Sequence, residues 1–357
     1  MKRLLFLFLV LVLVAAIPLY FNRGDIARDL MERGALSAML ANPLAELGDG
    51  LHVTLCGAGG PLPDRNRSGP CVAVSAGSKL FIFDAGSGGA RVLGMMRYPL
   101  GNIQAIFLTH YHSDHLDGLG ELATLRWVQG NHTNPLPVYG PPGVIDIVQG
   151  FNKVYARDGV YRNEHHGDEI APLSGHGMLP LQFDEPTIGE SIRIFDEGGV
   201  VVETFAVDHH PVRPAVGYRV TYRGRSVVIS GDTKKSGNLQ TFARNTDLLV
   251  HEALSPELVE IVNRAAARTN NQTIRKISED ILDYHTSPLE AAEIARDEGA
   301  RHLLYYHIVP ALPLPGLDAA FLDEVDVIFP AYTLGRDGTT ISLPAGSKEV
   351  VVVSRGL

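Results

Sequence analysis

The sequence predicts a layered α/β sandwich. Short apolar runs follow one another along the chain as strands in series, and helical patterns stand between only some of them. Histidines and aspartates also sit directly after several of these runs, at the strand ends where side chains converge on a shared edge.

The N-terminal segment is unlike the rest. Lys2 and Arg3 precede an uncharged apolar run over residues 4–21, a length at the border between a signal-peptide core and a membrane-spanning helix. Residues 1–22 are therefore expected to be an N-terminal hydrophobic helix that serves as a signal-anchor or signal peptide. Val14-Ala15-Ala16 offers small residues for cleavage. Positive residues stay in the cytoplasm, so the domain is expected outside it: membrane-anchored and facing the periplasm or exterior, or secreted if the segment is removed. Residues 23–50 read as an amphipathic connector, with Ile26, Leu30, Met31 and Leu36 as its apolar positions.

One domain is expected over 51–357. Strands are predicted at 52–55, 72–75, 80–83 and 103–108, with a Gly/Pro-rich loop at 57–70 between the first two. A helix is predicted over 144–155 and a loop over 168–178, and an insertion around 143–190 is expected to face the substrate or act as a lid. Strands resume at 191–195, 201–207, 216–222 and 226–229, with helices at 256–267 and 288–298. Arg336-Asp337-Gly338 reads as a hairpin turn between two terminal strands.

With 45% hydrophobic and 20% charged residues, the composition is that of an ordinary globular protein. The formal net charge of -9 weighs against nucleic acid as the main partner, since phosphates repel an acidic surface. Two cysteines exclude both a disulfide scaffold and a cysteine-based zinc site. Cys56 and Cys71 flank one loop and could pair in an oxidising compartment; two unpaired buried thiols are the alternative.

The strongest chemical signal is Thr109-His110-Tyr111-His112-Ser113-Asp114-His115-Leu116-Asp117-Gly118, directly after a strand. In an extended segment, alternation sends His110 and His112 to one side, and the turn that follows can bring Asp114 and His115 towards a second point. Imidazole and carboxylate are the ligands zinc takes when thiolate is absent. One loop cannot complete two coordination shells. Three other strand ends offer donors: Val207-Asp208-His209-His210-Pro211, Ile229-Ser230-Gly231-Asp232-Thr233 and Leu304-Tyr305-Tyr306-His307. Ser287, Pro288 and Glu290 form a capping signal, which places His285 in the loop entering a helix.

Together with the 57–70 loop, Asp84-Ala85-Gly86, Gly217-Tyr218-Arg219 and His285-Thr286-Ser287, these motifs resemble the metallo-β-lactamase superfamily. More narrowly they resemble its branch of ribonuclease Z and arylsulfatase-like hydrolases. The resemblance spans roughly residues 51–343 and implies a four-layer αββα sandwich. It implies two Zn2+ ions per chain, with Mn2+ or Fe2+ as alternatives. His110, His112 and His209 would hold one ion, Asp114, His115 and His307 the second, and Asp232 would bridge them. His209 is chosen over His210 because it follows Val-Asp. Asp84 would orient a ligand histidine. Asp114 and His285 would be catalytic, the first orienting a metal-bound hydroxide and the second protonating the leaving group. His251-Glu252 is expected only to support these ligands.

The reading expects a metal-dependent hydrolase that cleaves a small ester, a phosphodiester or aryl sulfate. The alternatives are a ribonuclease Z-like endoribonuclease and a lactone hydrolase; β-lactam cleavage and a non-enzymatic binding protein rank lower. The expected partners are a small-molecule ester and, through the N-terminal segment, the membrane. Nucleic acid is expected not to be a partner, because the charge is acidic and no Gly/Pro-rich, Lys-rich arm is present. A dimer is consistent with the family resemblance.

Overall fold

The computed structural model describes residues 2–3 and 19–357 and divides into two units, residues 1–43 and 44–357. Most of the expected signal or anchor segment, residues 4–18, lies outside the described residues. In the first unit, α1 (Arg23–Leu40) ends where Ala41 turns extended. Ile26, Leu30, Met31 and Leu36 are all exposed on it. Among the described residues, no helix is long and apolar enough to cross a membrane.

The second unit holds two sheets. The first has eight strands: β1 (Gly50–Gly57), β2 (Cys71–Ala76), β3 (Lys79–Phe83), β4 (Ile103–Phe107), β5 (Leu136–Gly140), β6 (Met178–Gln182), β14 (Thr339–Pro344) and β15 (Val351–Arg355), in the order β15-β14-β1-β2-β3-β4-β5-β6. The second has seven: β7 (Ser191–Glu197), β8 (Val200–Ala206), β9 (Val216–Tyr222), β10 (Arg225–Ile229), β11 (Leu248–Leu254), β12 (Leu303–Val309) and β13 (Tyr332–Leu334), in the order β13-β12-β11-β10-β9-β8-β7.

Strand alternation distributes the side chains into three separate cores. Val72, Val74, Phe81 and Phe83 face inward and meet Val202, Val220, Val227 and Tyr306 between the sheets. Their neighbours Ala73, Leu80 and Ile82 face outward, against α2 (Gly89–Met95), α3 (Leu119–Gly130) and α4 (Val144–His166). On the far side, Phe205, Val228, Leu249 and Tyr305 pack on α5 (Gly237–Ala243), α6 (Pro256–Arg268) and α8 (Pro288–Asp297). Three cores between four layers make the αββα sandwich.

Local signals explain where the helices begin. Ser255 caps α6 by accepting from Leu258 N, and Ser287 with Glu290 forms a complete capping box on α8. A further helix, α7 (Gln272–Asp280), has no counterpart in the sequence reading; Asn271 caps it by accepting from Ile274 N at 3.1 Å.

Two regions differ from expectation. The chain at Arg336-Asp337-Gly338 does not make a hairpin, because β13 and β14 belong to different sheets. The turn carries the chain from one sheet to the other. The Asp337 carboxylate there accepts from Ser68 N at 2.8 Å and Ala58 N at 3.1 Å, anchoring the 57–70 loop. Within 143–190, α4 runs on to His166 and β6 pairs in parallel with β5, so this stretch extends the first layer and its sheet.

Cys56 and Cys71 form a buried disulfide. It joins the end of β1 to the start of β2 and closes the base of the 57–70 loop.

Candidate metal centre

The site forms on the rim where strand ends of both sheets meet. β4 ends at Phe107, and the chain runs through Thr109 to His112, which is extended, before Ser113–His115 make a single 3-10 turn. This conformation puts His110 and His112 side by side, with His110 Nε2 3.0 Å from His112 Nδ1. The turn then swings Asp114 and His115 round to the neighbouring point.

Asp84 and His307, contributed from other strands, both have left-handed backbones, with φ of 57° and 46°. Such values are uncommon outside glycine and recur at functional sites. At His307 the cause is visible: Glu252 pairs with Tyr306 and Ala253 with Ile308, so His307 is the extra residue of a β-bulge. The bulge re-aims its side chain at the rim. Asp84 follows β3 and accepts from Thr109 N, Thr109 Oγ1 and His115 Nδ1, all at 2.8 Å. Next to it, Gly86 must be glycine, since a Cβ there would lie 2.5 Å from the Asp114 carbonyl oxygen.

Asp232 sits at the centre. Its Oδ2 lies 3.8 Å from His110 Nε2, 3.4 Å from His115 Nε2, 3.9 Å from His209 Nε2 and 3.2 Å from His307 Nε2. Asp114 Oδ2 is 3.4 Å from His307 Nε2 and 3.7 Å from His115 Nε2. Three ligand-sized groups result among the described residues. His110, His112, His209 and Asp232 form one, Asp114, His115 and His307 a second, and Asp232, His285 and His307 a third that shares two members with the others; in each, one donor atom per residue lies within 4.8 Å of all the others. All seven candidate ligands named from the sequence thus converge, whereas His210 is exposed and belongs to none of these groups.

The donors fit cations. Asp114 Oδ2, His115 Nε2, His209 Nε2, Asp232 Oδ1 and both His307 ring nitrogens are buried without a hydrogen-bond partner. Burying polar atoms unpaired is costly, and metal coordination removes the cost. Three histidines have their other nitrogen tied: His110 Nδ1 to Thr109 Oγ1 at 3.0 Å, His115 Nδ1 to Asp84, and His209 Nδ1 to the Tyr284 carbonyl at 3.0 Å. Such bonds fix ring orientation and tautomer in metal sites. Burial and the nearby His115 hold His110 far below the usual histidine range, so its imidazole stays neutral, as ligation requires. His115 goes the other way: burial lowers it, but the charges of Asp232 and Asp84 raise it further. The carboxylates create a local demand for positive charge.

Beyond the cluster, His285 Nδ1 bonds Glu252 Oε1 at 3.0 Å. Glu252 is fully buried, and the same oxygen accepts from Thr286 N at 3.1 Å and Thr233 N at 3.2 Å. Burial lowers the proton affinity of His285, and the charge and hydrogen bond of Glu252 raise it above the ordinary value on balance. The role of Glu252 was only faintly legible: it lies within β11, and no spacing links it to His285. Tyr284 gave no signal in the sequence, yet its carbonyl holds His209 and its ring lies 4.8 Å from that histidine's ring.

Residues 80–308 match a family model described as a beta-lactamase superfamily domain. Ribonuclease Z of Mycobacterium bovis (strain BCG / Pasteur 1173P2) is 34% identical over 264 residues, covering 73% of this chain and 87% of that protein. Ribonuclease Z of Mycobacterium sp. (strain KMS) is 35% identical over 289 residues, covering 80% and 94%. Among solved structures, human short-form tRNase Z superposes with a TM-score of 0.59 at 23% identity, covering 82% of this chain and 99% of that one. The metallo-beta-lactamase fold protein YhfI of Bacillus subtilis gives 0.57 at 20% identity, covering 82% and 98%. These two likenesses concern the fold.

The relatives overturn the partner expectation. A small-molecule ester substrate, with nucleic acid excluded, conflicts with full-length relatives named as ribonucleases. The physical flaw lay in the charge reasoning: a net charge of -9 sums over the whole surface, while RNA is engaged only where it binds. The membrane, expected as a partner through the N-terminal segment, finds no spanning helix among the described residues.

Proposed function

The chain belongs to the metallo-β-lactamase superfamily, within its ribonuclease Z-like branch, and from that premise we propose that it hydrolyses phosphodiester bonds of RNA. It is a metal-dependent hydrolase of ester bonds. The observation that carries the RNA reading is the 34% identity to a ribonuclease Z over 87% of that protein's length.

We propose that His110, His112 and His209 would hold one metal ion and Asp114, His115 and His307 a second, with Asp232 within reach of both sets; the unpartnered donor atoms support this. Zinc is the first choice for nitrogen and carboxylate donors, and Mn2+ or Fe2+ suits them too. When bound, such a pair supplies a water nucleophile at neutral pH and offsets charge on the phosphoryl oxygens.

The remaining work falls to the protein. Asp114 lines a cavity that opens onto the metal centre and can accept a hydrogen bond from the attacking water, fixing its direction. His285 is the proton donor to the departing oxygen: Glu252 holds its Nδ1 and raises its proton affinity, and the ring faces the cavity. Thr286 N and Thr233 N in turn fix Glu252, so the His285 ring is positioned before substrate arrives.

The Cys56–Cys71 disulfide and the charged, apolar N-terminal segment support a location outside the reducing cytoplasm.

The test incubates the protein with a 3′-extended transfer RNA precursor and an unstructured RNA, with and without chelator. Cleavage that stops on chelation and returns with Zn2+ or Mn2+ is expected. Cleavage that survives complete metal removal ends the metal assignment. Fully metal-loaded protein that cuts neither RNA ends the RNA reading.

A further inference from the structure

A cavity of about 330 Å3 opens directly onto the candidate metal centre. One side carries the chemistry: His112, Asp114, Asp232, His285 and His307. The other side is apolar. Pro61 and Leu62 come from the disulfide-closed loop, Ile277 from α7, Ile281 and Tyr284 from the segment that follows it, and Val309 from the end of β12. Leu62 and Ile277 are 51% and 49% exposed. Single exposed apolar side chains need no explanation. Here, however, two of them from unconnected segments line one cavity at the reacting centre.

Two further features bear on what binds there. Among the described residues, no lysine or arginine lines this cavity, so a second phosphate would find neither side chain there. Just after α7, Ile281 packs on Leu254, Val259 and Val309, while Arg275–Glu279 and Lys276–Asp280 pair along the exposed side of the helix. Tyr284 is pinned through its carbonyl to His209, and its ring lies 4.8 Å from that of His285. A flat, uncharged, aromatic group beside a phosphodiester is what such a wall accepts. In RNA that group is a base.

Resting on the RNA reading above, we propose that Leu62, Ile277, Ile281 and Tyr284 form a nucleobase subsite beside the scissile phosphate. The adjacency of Tyr284 to His285, the proposed donor to the leaving oxygen, assigns the subsite to the nucleotide on the leaving-group side. Apolar contact with a ring face carries no hydrogen-bond code, so the subsite tolerates every base. It reads the presence of a base, not its identity.

The experiment uses the full chain and three versions of one short RNA with a single cleavage site: intact, abasic at the leaving-side nucleotide, and abasic at the nucleotide across the bond. For the wild-type protein, the leaving-side abasic RNA should lose about 10-fold in kcat/KM, the size of one base–apolar stacking contact, and the other abasic RNA should lose little. Ile277→Ser combined with Leu62→Ser should lose about the same factor on intact RNA and show no further loss on the leaving-side abasic RNA, because both changes remove one interaction. Ile277→Phe, which keeps an apolar face, should keep the preference for intact over leaving-side abasic RNA, and loss of that preference would overturn the subsite. Equal cleavage of all three RNAs by the wild type, or additive losses in the double variant, overturns the subsite while leaving RNA hydrolysis standing. Failure to cleave any of the three by metal-loaded protein overturns both.

Discussion

Asp84→Asn isolates the support of the metal centre from the centre itself. Asp84 is buried, and its carboxylate accepts three hydrogen bonds at 2.8 Å, two from Thr109 and one from His115 Nδ1. Asparagine keeps the shape and tolerates the left-handed backbone, φ 57°, at which alanine would add strain. It has only one oxygen for three donors. Its amide must point a hydrogen at either Thr109 or His115, so the imidazole loses the partner that fixes its tautomer. Removing such a partner costs about 10- to 100-fold in metal affinity, or about 1.4–2.8 kcal/mol. The loss should fall on one ion, since His115 groups with Asp114 and His307 while His110, His112 and His209 form the other set. The assay is a competitive chelator titration followed by metal analysis. Wild type should release two metals in a narrow range, and the variant should release one of them at 10- to 100-fold lower chelator. Unchanged affinity for both, with the variant folded, would refute the claim that Asp84 acts through His115.

Asp232→Ala removes the one oxygen near four imidazoles and should empty both metal positions, read as a fall from about two metals per chain to none. His285→Ala should keep full metal content and lower kcat by about 10²- to 10⁴-fold; loss of metal in that variant would show that His285 is a ligand instead. Replacing Cys56 and Cys71 together by serine frees a 15-residue loop and should lower unfolding free energy by about 3 kcal/mol in urea titration. Burial holds His302 down to about 4 in the folded state. Its unfolded value is higher, so the stability it contributes is full above about pH 6.5 and lost as pH falls towards 4, by about 3 kcal/mol, and His302→Phe should flatten that part of the curve.

Much of the site was legible because its residues stand at strand ends, and strand ends can be read from apolar runs. The run at 103–108 announced that residues 109–115 would lie on a rim, and the runs before Asp232 and His307 did the same. What periodicity could not give was the bulge that turns His307 out of its strand, because the extra residue is defined by its pairing with β11, far away in sequence. Glu252 was under-read for a related reason: nothing local marks a carboxylate within β11 until a distant His285 is found 3.0 Å away. The turn at residues 336–338 was misread because a Gly-containing turn between two strands does not say whether the strands share a sheet. Its Asp337 is occupied in holding Ser68 and Ala58. Helix α7 escaped because its polar residues outnumber its isoleucines, and only the cavity shows what Ile277 faces.

The metal ligands come from both sheets, so their spacing depends on how rigidly the sheets are joined at this rim. Two sets of ties flank the cluster. On one side, the Tyr218 hydroxyl of β9 donates to the Leu108 carbonyl just beyond β4, and Val216 N donates to Thr109 O at 3.0 Å. On the other, Ile308 N donates to Ala58 O at 3.0 Å, next to an isolated bridge between Gly59 and Ile308. His110 is one residue from the first tie and His307 one residue from the second. Two of these hydrogen bonds run from backbone to backbone, and the third runs from the Tyr218 side chain to a backbone carbonyl. A sandwich held by apolar packing alone could slide by fractions of an ångström at little cost, since such contacts are non-directional. Hydrogen bonds are directional and cannot. The ligand set is therefore fixed relative to its own hydrogen-bonded frame. That explains how donors from four separate strand ends can hold a common geometry, although the 57–70 loop and α7 beside them are free to differ in what they bind.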